Sequence, residues 1–125
     1  MSLILLDTHI FLWWAHANRR IQASWVEEIV ADTNTVFLSA VSAWEIETRK
    51  RIGKLDFDDE VEPVAAKYNF TPLPMTARHA SLAGSIDWDH KDPFDRILVA
   101  QALLDDVVLI SADTVMKSAP GVRVL

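Results

Sequence analysis

The sequence predicts an α/β domain in three α/β/α layers, with helices on both faces of a central parallel sheet of four to five strands. Three observations predict it. Apolar runs at Leu3–Leu6, Thr35–Ser39 and Val107–Ser111 are continuous, as strands buried on both faces are. Between them lie stretches with apolar residues at helical spacing. The one strand-like run that holds prolines, Phe70–Pro74, belongs at a sheet edge, because proline cannot donate to a central ladder. Alternating strands and helices take right-handed crossovers. With the proline strand third and outermost, the strand order is 3-2-1-4-5.

Each element follows in turn. The first strand ends in Asp7-Thr8, and a helix runs at once from about Thr8 to Ala17, with Asn18-Arg19-Arg20 as its polar exit. A second helix, from Ile21 to about Thr33, carries Ile21, Trp25, Ile29 and Val30 on one side, and Asn34 breaks it. After the strand Thr35–Ser39, Ser42 is placed to cap a helix with Glu45 three residues on, and Gly53 suits its C-terminal turn. Arg49, Lys50, Arg51 and Lys54 fall in the last turns, where cations suit the helix dipole. The acidic stretch Asp56–Glu62 leads into a helix around Val64, Ala65 and Ala66, with Pro63 in its first turn. A helix from about Ala77 to Ser85 follows the proline strand, then the loop Asp87–Lys91. Asp92 at the N-cap and Pro93 at N1 open the next helix, whose Ile97–Leu104 is apolar around most of its circumference. Val107–Ser111 is the last central strand, and Val122–Leu125 is placed as a short terminal one.

Composition narrows the function classes. The chain has 125 residues, half of them hydrophobic, enough for a single domain with a sizeable core. It contains no cysteine, which excludes disulfides, thiolate nucleophiles and zinc–sulfur sites. The apolar start lacks a basic leader and is interrupted by Asp7, and no stretch approaches the ~20 apolar residues of a membrane span. A cytoplasmic protein is expected. The net charge of -6 runs against nucleic-acid binding, unless cations cancel part of it.

In the order 3-2-1-4-5 the first and fourth strands adjoin, and the connections leave them in opposite directions. Ligands bind at such switch points, beyond the carboxyl ends of the strands. Asp7 and Asp113 both fall there. Glu45 sits at the edge of an apolar stripe (Val41, Trp44, Thr48, Ile52), while Glu47 faces away, and Asp95 projects over Leu98, Val99 and Ala102. Taken singly, each acid has an ordinary use. Asp7 and Asp113 suit helix caps, Glu45 an ion pair with Arg49 at i+4, and Asp95 the positive end of a helix. Taken together, converging carboxylates without basic partners repel one another, and Mg²⁺ or Mn²⁺ removes that penalty. Asp7, Glu45, Asp95 and Asp113 are therefore candidate metal ligands.

Other polar residues give weaker signals. His9, His16, His79 and His90 show no paired ligand spacing and read as structural or surface groups. Asp92 reads as a cap. Arg96 is either an ion-pair partner or a contact for substrate phosphate. Trp13 and Trp14 are consecutive and cannot both face one core, so one is expected inside and the other in a partner surface. No G-x-S-x-G elbow or glycine-rich phosphate loop is present.

Leu5-Leu6-Asp7-Thr8-His9, Ser42-Ala43-Trp44-Glu45-Ile46 with Gly53-Lys54-Leu55, Asp92-Pro93-Phe94-Asp95-Arg96 with Ala100-Gln101-Ala102, and Leu109-Ile110-Ser111-Ala112-Asp113 together resemble the PIN domain family. The closer resemblance is to VapC-type toxins of bacterial toxin–antitoxin pairs. It spans nearly the whole chain in order. It implies a PIN-like fold and a Mg²⁺- or Mn²⁺-dependent endoribonuclease. Asp7, Glu45, Asp95 and Asp113 would carry catalysis and hold metal, with Thr8, Ser111 and Arg96 as substrate contacts. It also implies a homodimer and a cognate VapB-type antitoxin.

The expected reaction is hydrolysis of an RNA phosphodiester by in-line attack of water activated by the metal. Arg49, Lys50, Arg51 and Lys54 either line an RNA path or form a solvated helix end. The stretch Asp56–Glu62 and the loop Asp87–Lys91 are placed to shape substrate choice. The alternative is a PIN-like binding module that no longer cuts and acts only within a protein complex. An aspartyl-phosphate enzyme fits poorly, since His9 stands where a second aspartate is required.

Overall fold

The computed structural model describes residues 1–125. Four parallel strands, β1 (Leu3–Leu6), β2 (Thr35–Ser39), β3 (Thr71–Leu73) and β4 (Val108–Ile110), form one sheet in the order β3-β2-β1-β4. The central pair registers Leu6 against Ile110, which carries Asp7 and Ser111 together past the strand ends. β3 holds Pro72 and lies at the edge, as its missing donor requires. The expected fifth strand shrinks to a bridge: Val124 pairs with Leu109, whose three-residue strand offers little edge to extend.

Helices α1 (Thr8–Ala15), α2 (Ala23–Val30), α3 (Ala40–Arg51), α4 (Val61–Lys67), α5 (Ala77–Ser85) and α6 (Pro93–Leu104) cover the two faces, with a 3₁₀ turn over Thr114–Ser118. Successive strand residues point to opposite sides. Accordingly Ile4 and Leu6 join Phe11, Trp25, Phe57 and Phe70 in one core, while Leu5 joins Leu98, Val99 and Met116 in the other. Burying such side chains contributes roughly 1.5–3 kcal/mol each.

Several boundaries differ from the sequence expectation. α1 stops at Ala15 because the chain turns left-handed at Ala17 (φ 50°), and Asn18 N–H reaches back to the Trp13 carbonyl. α2 begins only at Ala23, since Asn18 Oδ1 accepts from the Arg20 N–H and holds the link as a turn. Ser39, not Ser42, caps α3, accepting from the Val41 N–H at 3.0 Å. At the far end Gly53 (φ 76°) closes the helix, with Lys54 N–H bonded to the Arg49 carbonyl.

The buried face of α3 is Val41, Ser42, Glu45 and Ile46. Trp44 and Ile52, placed inside by periodicity, are 52% and 58% exposed. The reason is that α3 reaches both cores, Val41 packing in one and Ile46 in the other, so no single stripe describes it. Trp44 instead stands against Phe94 of α6, ring centroids 4.7 Å apart. Trp13 and Trp14 are also not divided into one inside and one outside. Both are half-buried, Trp13 beneath the Arg20 guanidinium and Trp14 edge-on to Tyr68.

Candidate metal centre

The site starts from Asp7 at the end of β1. Its N–H donates to the Ile110 carbonyl at 2.9 Å, extending the β1–β4 ladder by one step. Ser111, next after β4, then donates its hydroxyl to Asp7 Oδ2 at 2.6 Å across the switch point. Asp7 occupies the N-cap position of α1, but its side chain takes no capping bond there. Burial is the main cause that pushes its pKa above 3.8, and the Glu45 charge adds to it. The Ser111 hydroxyl, His9 and the Thr8 backbone oppose the rise.

Glu45 comes from the buried side of α3. Its Oε2 accepts from Arg49 Nη2 at 2.7 Å, so the i+4 pair forms, yet the residue is only 3% exposed. Its other oxygen, Oε1, is buried with no hydrogen-bond partner. A buried acceptor left unbonded costs about 1–3 kcal/mol, more when charged, unless something else satisfies it.

Asp95 sits at N3 of α6, and its Oδ2 bonds His90 Nε2 at 2.7 Å. Burial raises its pKa from 3.8 to about 6, helped by the charges of Asp7 and Asp92 and opposed by the His90 bond. Each of Asp7 and Asp95 thus senses another acid of the group, which places Glu45, Asp7 and Asp95 in one electrostatic neighbourhood.

Asp113 differs. It is exposed, and its Oδ1 caps the 3₁₀ turn by accepting from the Val115 N–H at 3.1 Å. Its own N–H donates to Ser111 Oγ at 3.1 Å, so its backbone steadies the hydroxyl that grips Asp7. The structure buries Asp7 and Glu45, sets Asp95 within reach of the Asp7 charge, and leaves the Asp113 carboxylate exposed.

The PIN domain family model matches residues 4–122. The chain belongs to the PIN domain family. No curated protein matches it. Its fold is similar to that of a chain in the Rickettsia felis VapBC2 structure, solved bound to a DNA fragment from its promoter: TM-score 0.74, 13% identity, covering 98% of this chain and 97% of that one. A chain of Haemophilus influenzae VapBC-1 gives a TM-score of 0.69 at 14% identity, with coverage of 98% and 96%. A Klebsiella pneumoniae toxin–antitoxin complex gives 0.66 at 22% identity, with coverage of 98% and 95%.

In this PIN domain each residue expected to contact substrate also holds a neighbour within the chain. Thr8 Oγ1 and Ser42 Oγ share a buried hydrogen bond of 2.9 Å that ties the start of α1 to α3. Ser111 is buried and committed to Asp7 and Asp113. Of the two readings of Arg96, the ion pair with a neighbouring acid does not form. Its guanidinium donates to the carbonyls of Ala83 (2.7 Å), Ile86 (2.7 Å), Trp88 (2.7 Å) and His90 (2.9 Å), holding the loop before α6. A planar group with five donors suits several converging carbonyls, and this leaves little of it for substrate.

His90 is a neighbour of Asp95 that sequence reasoning did not place there. His90, Asp92 and Asp95 each offer a ligand atom, all within 4.8 Å of one another. The available signal was position: His90 precedes the Asp92 N-cap by two residues, which brings it beside an N3 side chain. Asp92 does cap α6, accepting from the Phe94 N–H at 2.9 Å. His79, read as structural, is: it forms a capping box with Thr76 and bonds Asp105.

A hard divalent cation fits this donor set. The carboxylates of Asp7, Glu45 and Asp95 are oxygen donors, burial and neighbouring acids push Asp7 and Asp95 toward protonation, and Glu45 Oε1 lacks a partner.

Proposed function

We propose that this PIN domain is a VapC-type toxin, a Mg²⁺- or Mn²⁺-dependent endoribonuclease restrained by a VapB-type antitoxin. The observation that carries the reading is that Asp7 and Glu45 are buried, with Glu45 Oε1 unbonded and partly buried Asp95 near enough for the Asp7 charge to raise its pKa. These three carboxylates would hold the ion, and Asp113 would stand at its outer side. Bound there, a divalent ion supplies an activated water and charge neutralisation at phosphorus.

The chain's own groups do the rest. Ser111 fixes the Asp7 carboxylate, and Arg49 fixes Glu45 through Oε2 while leaving Oε1 available. His90 holds Asp95 Oδ2 in place. Asp113, once its capping bond opens, has an oxygen at the rim to orient water or the leaving group. Exposed Trp44, standing against half-buried Phe94, suits contact with a second copy or the antitoxin, and a homodimer is the expected state. No helix is long and apolar enough to cross a membrane.

The test is cleavage of RNA by the purified chain with Mg²⁺ or Mn²⁺ against an EDTA control. Ion-dependent cleavage supports the reading, whereas equal RNA turnover in EDTA, or none in either condition, defeats it. In the second case a non-cutting binding module is the better account.

A further inference from the structure

Two cavities flank the 3₁₀ turn, and their charges differ. One, of about 560 Å³, is lined by Asp87, Asp89 and His90, with Val115 and Ser118 from the turn. The other, of about 390 Å³, is lined by Trp13, Arg20 and Gln22, with Asp113, Thr114 and Lys117 across from them. Its wall also includes Ser111, whose hydroxyl holds Asp7, so it opens beside the acidic centre. Arg20 and Lys117 are exposed and engaged in no ion pair. By contrast, two of the cations read from sequence as either an RNA path or a solvated helix end are occupied: Arg49 with Glu45, and Lys50 with Glu47 and the Phe57 ring. Arg20 lies over the Trp13 ring, its guanidinium carbon 5.8 Å from the ring centroid, and both residues line this cavity.

We propose that this second cavity is a subsite for one nucleotide of single-stranded RNA, its base stacked against the Trp13–Arg20 pair and its phosphate neutralised by Lys117. Unpaired bases stack on aromatic and guanidinium planes, and basic residues supply the affinity for the backbone. The volume lies within the range of pockets that hold small organic ligands. Gln22, exposed at the same edge, offers an amide to the base rim. The two acids of the opposite cavity repel phosphate, so the strand passes the centre on the Arg20–Lys117 side. The assignment rests on the ribonuclease reading above and adds where the substrate is gripped.

The experiment uses the whole chain carrying Asp7→Asn to prevent turnover, in Mg²⁺ buffer, titrated into a fluorescein-labelled short oligouridylate and followed by anisotropy. Arg20→Ala and Lys117→Ala should each weaken binding about fivefold and reduce the salt slope, by about 0.7 for the lost phosphate contact of Lys117. Trp13→Phe should retain binding where Trp13→Ala loses it. Lys67→Ala removes the same charge beside Tyr68 on α4 and should change affinity less than about twofold. Equal losses at all three cations, or none, overturn the subsite, as does an oligouridylate that the parental chain does not bind. Variants that bind RNA normally but no longer bind a partner protein also overturn it, assigning the cavity to protein. If the parental chain cuts no RNA while this pattern of losses holds, the ribonuclease reading fails and the subsite stands. If it cuts RNA and Arg20→Ala with Lys117→Ala leaves binding and KM unchanged, the subsite alone fails.

Discussion

α3 and α6 each deliver one acid to the centre, and they secure it by opposite means. Glu45 is held within its own helix, by Arg49 one turn later, so forming α3 forms the pair. Asp95 is held from outside, by His90 on a loop that Arg96 ties down through main-chain carbonyls. The partner on α3 is a guanidinium, whereas the partner on the α6 side is an imidazole. The difference teaches that one half of the centre is preset by local sequence and the other by tertiary assembly. Asp7 lies between them and senses the charge of one while raising the pKa of the other.

The largest effect is therefore expected at the shared residue. Asp7→Asn should lower RNA cleavage by roughly 10³-fold or more while leaving circular dichroism unchanged, because the amide oxygen still accepts from Ser111. Parental rates from that variant would remove Asp7 from the reaction. Next comes the preset half. Arg49→Ala leaves a buried carboxylate without its cation. Breaking a fully buried pair costs about 3–5 kcal/mol, and the partial exposure of Arg49 reduces this to about 1–2 kcal/mol in urea unfolding of the metal-free chain. Added Mn²⁺ should recover most of it.

On the assembled half, His90→Ala should cost less, about 0.5–1.5 kcal/mol, but should loosen Asp95 and weaken Mn²⁺ binding measured by calorimetry. A larger stability loss at His90 than at Arg49 would invert the comparison. The smallest effect is in pH dependence. Asp95 has a pKa of about 6 in the folded chain against an ordinary 3.8, so between these values the folded state holds a proton that the unfolded chain has released. Stability of the metal-free chain from this group is therefore full below about pH 3.8 and declines as pH rises to about 6. Asp95→Asn should flatten that decline and raise the metal-free Tm at pH 7 by roughly 3 °C. Metal affinity should move the other way, falling as pH drops below about 6.

The same division explains what could be read in the sequence. β1, β2 and α6 were legible because continuous apolar runs and an Asp-Pro start have few other physical meanings, and the edge position of β3 followed from its prolines. Glu45 and Asp95 could be picked out as inward acids, though the stripe used for Glu45 was wrong: Trp44 and Ile52 face solvent because α3 serves two cores. What stayed hidden depended on where loops travel. Periodicity says nothing about which carbonyls gather around Arg96, or that His90 turns back onto Asp95. Asp113 illustrates the converse, since its capping use was legible and its carboxylate follows it.

The cluster of carbonyls around Arg96 limits how the gene can drift. A lysine at that position has three hydrogens on a single nitrogen and cannot reach four oxygens spread from Ala83 to His90. Any lineage that lost the guanidinium would have to rebuild the whole segment at once, so this codon is expected to be among the slowest to change.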